Sequence, residues 1–548
     1  MDCPYVYRED VYDFIIDQQD DYNGAVPIIP VCEKNIADQY TIQYMERAGA
    51  PALSIYNYTY TAIPTVYSPL AELYLDAGCI TPVLNNEVLG LNGRGVIVGF
   101  VDSGINLTSE SFQYVGGGTR VMALWDQNKP EEETIGYLGY GSVYRQKQIN
   151  EALENPETIR TLPRDELGHG SYLAGIVAGT NGGIAPSADI AVVKLKQCKQ
   201  YFREFYKIPA DTPCYQENDV MAGIQFLKDY AKEVGKPLVL CFCLGTNMGS
   251  HTGNAFLGQM LNRMNLTNGN MVVCAAGNEA LNRHHYSGMV ERQGESEEVE
   301  IQVEEGCMGF WVECWSQVPQ AFYIHVISPS GEKMEGVVAQ VAGEKSHRFA
   351  LENTLVVQSA RYVYQEGGEQ IIFTSFDKPT PGIWKLQVFG KVVTTGNYNL
   401  WLPMEEQLSK PVIFLKADPD TTITEPGNAL SILTVTAYDG KTGGLYIRSG
   451  RGYTASQQIK PDLAAPGVNV VSPFENRSDS STCAAAAITA GAAVLYLQWI
   501  NYVRQGLPVT GNAVKQGLIL GANTKPEESY PNREWGYGSL CLLDTLRL

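Results

Sequence analysis

The stretch Gly95-Val-Ile-Val-Gly-Phe-Val-Asp102-Ser-Gly104 decides the fold. A short apolar run rich in β-branched residues, bounded by glycines and too short for a core helix, reads as a strand buried on both faces. Comparable runs recur at Ile190–Leu195, Pro237–Leu244 and Met271–Ala276, and helix-like segments lie among them at Ser171–Val177, Asp219–Val234 and Asn254–Met264. Strands alternating with helices predict an α/β domain, a parallel sheet flanked by helices and joined by right-handed crossovers. Asp102 then stands at the carboxyl edge of the first core strand, where open sheets of this kind hold their ligands.

Outward from that strand the chain divides into four zones. Residues 1–66 are acidic and Tyr-rich, with a helix-like stretch at Asn35–Ala48 and strand-like runs at Ala25–Val31 and Ser54–Ile63, which predicts a small α+β unit. Residues 67–286 hold the first part of the α/β domain. In 287–405 the texture changes to short alternating strands such as Val299–Val303, Phe310–Cys314, Phe322–Ile327, Ile371–Ser375 and Trp384–Val388, the pattern of an inserted all-β sandwich. The α/β texture resumes over 406–548 with Leu430–Tyr438, Val468–Ser472, an Ala-rich helix from Ala484 and a helix-like Gly511–Gly521.

Composition narrows the class further. The 548 residues are 44% apolar and 18% charged, enough apolar side chain for folded domains of ordinary kind. Sixty Asp and Glu against 40 Lys and Arg leave a net charge of -20, which argues against a nucleic-acid backbone or an anionic membrane as the main partner. Met1–Asp21 carries Asp2, Glu9, Asp10, Asp13 and Asp17 and no basic-then-apolar signal, so the expectation is a cytoplasmic protein. Cys483–Ile500 has about the length of a bilayer span, but its Ala and Gly content and Gln498 favour a helix buried in protein. Several of the 12 Cys lie in apolar strand-like runs (Cys241, Cys243, Cys274), which predicts buried free thiols rather than a disulfide framework. Cys241-Phe-Cys243 lacks the CxxC spacing and no His pairs with Cys at finger spacing, so neither a metal nor a cofactor is expected.

Four separated segments carry chemistry. The first is Asp102 at its strand end, although an Asp there also serves to cap a turn. In Gly168-His169-Gly170-Ser-Tyr-Leu-Ala174-Gly175, glycine on both sides of the histidine marks a backbone that something approaches closely, where a lone His would be structural. Val272-Val-Cys-Ala-Ala-Gly277-Asn278-Glu279 ends an apolar run in an Asn whose amide could donate to a developing oxyanion or simply make a turn. In Ser480-Ser481-Thr482-Cys483-Ala-Ala-Ala-Ala487 a polar loop enters a buried helix with Cys483 at its start. A helix N-terminus favours an anion there, so a thiol would have a lowered pKa, the alternative being a small buried core residue.

Taken together these segments resemble the subtilisin-like serine peptidases, whose triad runs Asp, His, nucleophile in chain order. Cys243-Leu244-Gly245 falls where that family has its substrate-pairing strand, and Arg448-Ser-Gly-Arg451-Gly452 with Lys460-Pro-Asp-Leu-Ala464-Ala-Pro466-Gly467 resembles the segment before the nucleophile. More narrowly, the long insertion between Asn278 and Cys483, Trp125-Asp-Gln127, Leu244-Gly-Thr-Asn247 and Ala485-Ala-Ala-Ile-Thr-Ala-Gly491 are similar to the clostridial Csp-type germination subtilases. That resemblance implies a jelly-roll insertion, an N-terminal prodomain that stays bound in the cleft after cleavage somewhere in Tyr56–Leu73, and a protein substrate, a spore cortex-hydrolase precursor. It also implies a spore-associated location.

Carried over residue by residue, the resemblance makes Asp102 the orienting carboxylate, His169 the general base and acid, and Asn278 with the Cys483 N–H the oxyanion hole. The departure is at the nucleophile, where the family's Gly-Thr-Ser reads Ser481-Thr482-Cys483. Three readings follow: a natural thiol nucleophile, a thiol put in place of a hydroxyl to trap an uncleaved form, or a pseudopeptidase that binds or signals. Because Asp102, His169 and Asn278 are intact, a working peptidase frame is the more economical of these. Tyr56-Asn-Tyr58-Thr-Tyr60-Thr-Ala62-Ile63 is the extended run that would lie in the cleft as a substrate-like strand, or else an edge strand of a stable N-terminal domain.

Overall fold

The computed structural model describes residues 8, 10–17, 30–35, 40–51, 73–128, 137–155, 157–338, 342–363, 368–503, 505 and 507–547. The chain divides into two units, residues 1–69 and 70–548. In the first, β1 (Val11–Asp17), β2 (Cys32–Asn35) and β3 (Tyr40–Glu46) form an antiparallel sheet in the order β1-β3-β2. Val11, Phe14, Thr41, Tyr44 and Met45 are among its buried side chains. Where a helix is expected over Asn35–Ala48, the described residues hold the end of β2 at Asn35 and the central strand Tyr40–Glu46. Its Thr41, Ile42 and Tyr44 favour the pleated surface, and pairing on both edges outweighs a spacing that also fits a helix turn. The expected boundary at 66/67, the Tyr56–Ile63 run and all but the last residue of Tyr56–Leu73 lie outside the described residues.

In the second unit α1 (Leu73–Ala77) and α2 (Thr81–Leu84) lead to β4 (Ile97–Asp102). Then come β5 (Val121–Asp126), β6 (Ser142–Arg145), α3 (Gln146–Leu153), α4 (His169–Ala178), β7 (Asp189–Lys194), α5 (Gln200–Tyr206), α6 (Glu217–Val234), β8 (Leu238–Phe242), α7 (Phe256–Asn265) and β9 (Asn270–Ala275). After the β-rich insertion, β21 (Leu433–Tyr438), β22 (Leu463–Pro466), α8 (Thr482–Val503), α9 (Gly511–Leu520) and α10 (Leu542–Thr545) complete it. The sheet order is β22-β21-β9-β8-β4-β7-β5-β6, parallel throughout except for the edge strand β6. One apolar layer joins the sheet to α4 and α8, a second joins it to α6 and α7, and β4 is buried along its whole length. This is why its sequence reads as one apolar run.

Helix α8 is the centre of the first layer. Its alanines and Gly491 let it lie close to the sheet and to Ile184, whose side chain would meet any Cβ placed on Gly491 at 2.7 Å. The helix is long and apolar enough to span a bilayer, yet 83% of its most apolar window is buried within the protein. Beneath β21 and β22 a buried ionic node replaces apolar packing: Asp462 accepts from Lys460 Nζ at 2.6 Å, Lys515 Nζ at 2.7 Å and Thr434 N–H at 2.7 Å. Burial opposes ionisation of Asp462, but the two lysines hold its pKa below the ordinary carboxylate value.

The insertion folds as two facing antiparallel sheets. One has the order β10 (His285–Met289), β19 (Asn397–Trp401), β12 (Gly309–Gln317), β17 (Glu369–Asp377), β16 (Leu355–Val363), β15 (Ala342–Arg348). The other runs β14 (Lys333–Met334), β13 (Ala321–Ile327), β18 (Gly382–Val392), β11 (Ser296–Val303), β20 (Val412–Phe414). Val299, Ile301, Phe310, Ile324, Phe376, Trp384 and Leu386 fill one core between them. A disulfide joins Cys79 to Cys541 across 462 residues and Cys32 is disulfide-bonded as well, which corrects the expectation that cysteines here are free. Cys241, Cys243 and Cys274 are free and buried, as the apolar runs predict.

Candidate active site

Asp102 closes β4, and its Oδ1 accepts from the Ser103 N–H at 2.7 Å and the Ser103 hydroxyl at 3.1 Å. The Ser103 oxygen in turn accepts from the Gly170 N–H at 3.0 Å, which fastens the sheet edge to the start of α4. A Cβ on Gly170 would lie 2.2 Å from the Gly104 carbonyl oxygen, so only glycine lets helix and strand end approach this closely. Gly168 turns into the helix at φ 69°, and Asp165 accepts from the Gly168 N–H (2.9 Å), the Ser171 N–H (2.8 Å) and the Ser171 hydroxyl (2.7 Å). These contacts hold His169 in place. Its Nδ1 lies 2.8 and 3.0 Å from the two Asp102 oxygens, and because a carboxylate only accepts, Nδ1 carries the proton and Nε2 is left to Cys483.

Cys483 is the second residue of α8. Ser481 precedes the helix and accepts from the Ala484 N–H at 3.2 Å, an N-cap that gives the serine at this position a structural use. Thr482 locks the helix start to the end of β9: its N–H donates to Asn278 Oδ1 at 3.0 Å, and its hydroxyl oxygen accepts from the Gly277 N–H at 3.0 Å. A backbone N–H can meet only the oxygen of an amide, so Asn278 must turn its NH2 group away from Thr482. That donor stands beside a helix end whose first-turn N–H groups, the Cys483 N–H among them, have no acceptor within the helix. The arrangement suits a developing negative charge on oxygen.

Sulfur and imidazole perturb each other. Hydrogen bonding with the Cys243 thiol and with His169, and the His169 charge, lower the Cys483 pKa to about 6, against burial and the Asp102 charge, which push it up. Burial would lower His169, but the charge and hydrogen bond of Asp102, reinforced by Cys483, hold it well above its ordinary value. Both shifts favour the thiolate–imidazolium form of the pair over the neutral one.

Cys243, Leu244 and Gly245 follow β8 at the same edge of the sheet. Cys243 is buried, Leu244 half-buried and Gly245 exposed. Cys483 Sγ lies 3.5 Å from the Cys243 carbonyl oxygen, and the Thr424 hydroxyl would sit 2.4 Å from a Cβ on Gly245, so this strand end is held between α8 and the Thr424 segment. Asp102, His169, Asn278, Cys483 and the Cys243–Gly245 segment thus meet at one sheet edge. Sequence reasoning missed Ser103, Asp165 and Thr482, which position the others; the Ser103-Gly104 pair directly after Asp102 was the one local signal. It also missed the junction with the insertion. There Glu279, next to Asn278, accepts from His284 Nδ1 at 2.6 Å, Asn247 Nδ2 at 3.0 Å and Asn282 Nδ2 at 2.7 Å, and Asn247 Nδ2 also donates to the Leu402 carbonyl at 3.1 Å.

A parallel sheet whose carboxyl edge brings Asp, His and a helix-start Cys together in that chain order defines a subtilisin-type peptidase fold. The subtilase family profile matches residues 93–303 and 349–538, and the chain belongs to that family. Among solved structures it is similar to the CspB protease of Clostridium perfringens, 28% identical with a TM-score of 0.74, over 87% of this chain and 97% of that one. Sphericase (14% identity, TM-score 0.42, 84% of this chain and 97% of that) and MycP1 from Mycobacterium smegmatis (14%, 0.38, 88% and 86%) are more distant. No curated protein matches significantly.

Proposed function

We propose that this subtilase is an endopeptidase armed with a thiol, with Cys483 as nucleophile, His169 as base and acid, Asp102 as the group that orients and stabilises the imidazolium, and Asn278 with the Cys483 N–H as oxyanion donors. The observation that carries the reading is the Cys483–His169–Asp102 line, with the imidazole Nδ1–H directed at Asp102 and a thiol of lowered pKa on its other side. The thiolate attacks the scissile carbonyl carbon, and the negative charge passes to its oxygen. His169 gives its proton to the departing amine; as neutral imidazole it then takes a proton from water, which attacks the thioester and frees Cys483. The backbone of Cys243-Leu244-Gly245 pairs with the substrate strand.

Thiolate is a better leaving group than amide from the tetrahedral intermediate, so esters are cut more readily than peptides by this form. Residues 1–66 act as the prodomain, severed by a cut within Tyr56–Leu73 and retained in the cleft. The likeness to the CspB protease supports a protein substrate, and the motif resemblance to germination subtilases makes that substrate a spore cortex-hydrolase precursor and the role spore-associated. Intact mass of the full chain beside Cys483→Ser tests this. Scission in 56–73 by the serine form, and by neither form once His169→Ala is added, is expected. Two folded, uncut chains would instead favour a pseudopeptidase that binds its partner without cutting it.

A further inference from the structure

Three thiols stand in a row on the face of the sheet that meets α8. Cys241 and Cys243 are two residues apart in an extended segment and so project to the same side, while Phe242 between them belongs to the opposite apolar layer. Their sulfurs are 3.8 Å apart. Cys243 then overlaps Cys483: Cys483 Sγ lies 3.5 Å from the Cys243 carbonyl oxygen, and Cys243 Sγ lies 3.7 Å from the Cys483 carbonyl oxygen. Each sulfur rests on the other residue's main chain. Of the three, only Cys483 is partly exposed, whereas Cys241 and Cys243 are buried.

We propose that Cys243 and Cys483 form a reversible disulfide, a site of oxidation by peroxide that blocks the proposed nucleophile and protects it from further oxidation. The proposal rests on the reading of Cys483 as the ionised, nucleophilic thiol. The Cys243 and His169 hydrogen bonds lower the Cys483 thiol toward its ionised form, while hydrogen bonds to Cys241 and Cys483, together with burial, push the Cys243 thiol up, so the two have different parts. Cys483 sulfur attacks one peroxide oxygen; the O–O bond breaks, the sulfur is oxidised by two electrons to a sulfenic acid, and the departing hydroxide takes the His169 proton to leave as water. The Cys243 sulfur then attacks the sulfenic sulfur, the S–O bond breaks, and the Cys243 proton leaves with the hydroxide as a second water. The link consumes the nucleophile and ties the substrate-pairing strand end to α8. A small dithiol reverses it.

The test uses the full reduced chain treated with hydrogen peroxide, blocked with N-ethylmaleimide and digested without reductant. A peptide pair joining Cys243 to Cys483, lighter than its parts by two hydrogens and separated by dithiothreitol, is expected. Mapping distinguishes it from any link between Cys198 and Cys214, whose sulfurs lie 2.8 Å apart. In Cys243→Ser the same treatment carries Cys483 on to a sulfinic acid, a gain of two oxygens that dithiothreitol does not remove. Sulfinic Cys483 in the parent chain without that link, or a Cys241–Cys243 link with Cys483 still open to maleimide, would overturn the proposal. Circular dichroism checks that the variant is folded, and the parent chain decides the matter if it is not. Peptide masses are read whether or not the chain cuts peptide bonds, so failure here is distinct from failure of the peptidase reading.

Discussion

The central sheet and the inserted sandwich bury their side chains by different rules. Along β4 every residue is buried, because helices cover both faces of the parallel sheet; along β18 buried and half-buried positions alternate, because one face meets the core and the other meets water. A strand sealed on both sides offers chemistry only at its end. Asp102, Cys243 and Asn278 all stand at or just after strand ends, and His169 and Cys483 begin the helices that return from that edge. In the sandwich, polar groups such as Lys385, paired with Glu298 at 2.7 Å, lie along the outer faces. The sheet concentrates reactive groups, and the sandwich disperses them.

The comparison breaks if substitutions in the sandwich silence the thiol, or if those at the sheet edge unfold the chain. The largest effect expected is for His169→Ala, which should lower ester hydrolysis by about 1,000-fold or more with little change in Tm. Iodoacetamide reads the same residue by pH: because the thiolate is the species that reacts, labelling of Cys483 should rise through a midpoint of about 6 and fall away below it. In His169→Ala that midpoint should move up toward the ordinary thiol range. Trp384→Ala, deep in the sandwich core, should cost about 3–5 kcal/mol in thermal unfolding and leave the Cys483 labelling rate unchanged.

Asn278→Ala sharpens the division within the sheet edge itself. Removing one oxyanion donor should slow ester hydrolysis by about 100- to 1,000-fold while the thiolate labels as before, since Asn278 does not set its ionisation. The smallest effect belongs to Ser481→Ala, where loss of the N-cap should cost about 1 kcal/mol, seen as a lower Tm. The two regions also touch, as where Asn247 beside the Glu279–His284 pair donates to the Leu402 carbonyl and Lys207 pairs with Asp377 at 3.2 Å.

Much of the site was legible because its residues carry local marks. His169 lies between glycines, one of which admits the Gly104 carbonyl; Asn278 ends an apolar strand; Cys483 opens a run of alanines. The Tyr40–Glu46 strand was not legible, since its apolar spacing fits helix and strand alike and only pairing with β1 and β2 decides between them. Nor was the antiparallel edge strand β6, which has a half-buried pattern too short to show a period.

The sequence by itself determined the alternation of strand and helix, the inserted sandwich and the identity of the residues at the sheet edge, because apolar periodicity and glycine punctuation are properties of neighbouring residues. Only the tertiary structure decided the Cys79–Cys541 disulfide, the Ser103 and Asp165 contacts that hold His169, the Asn278 orientation fixed by Thr482, and the row of thiols that meets Cys483. Those contacts join segments up to 462 residues apart, and distance in sequence leaves no local trace of which groups close packing will bring together.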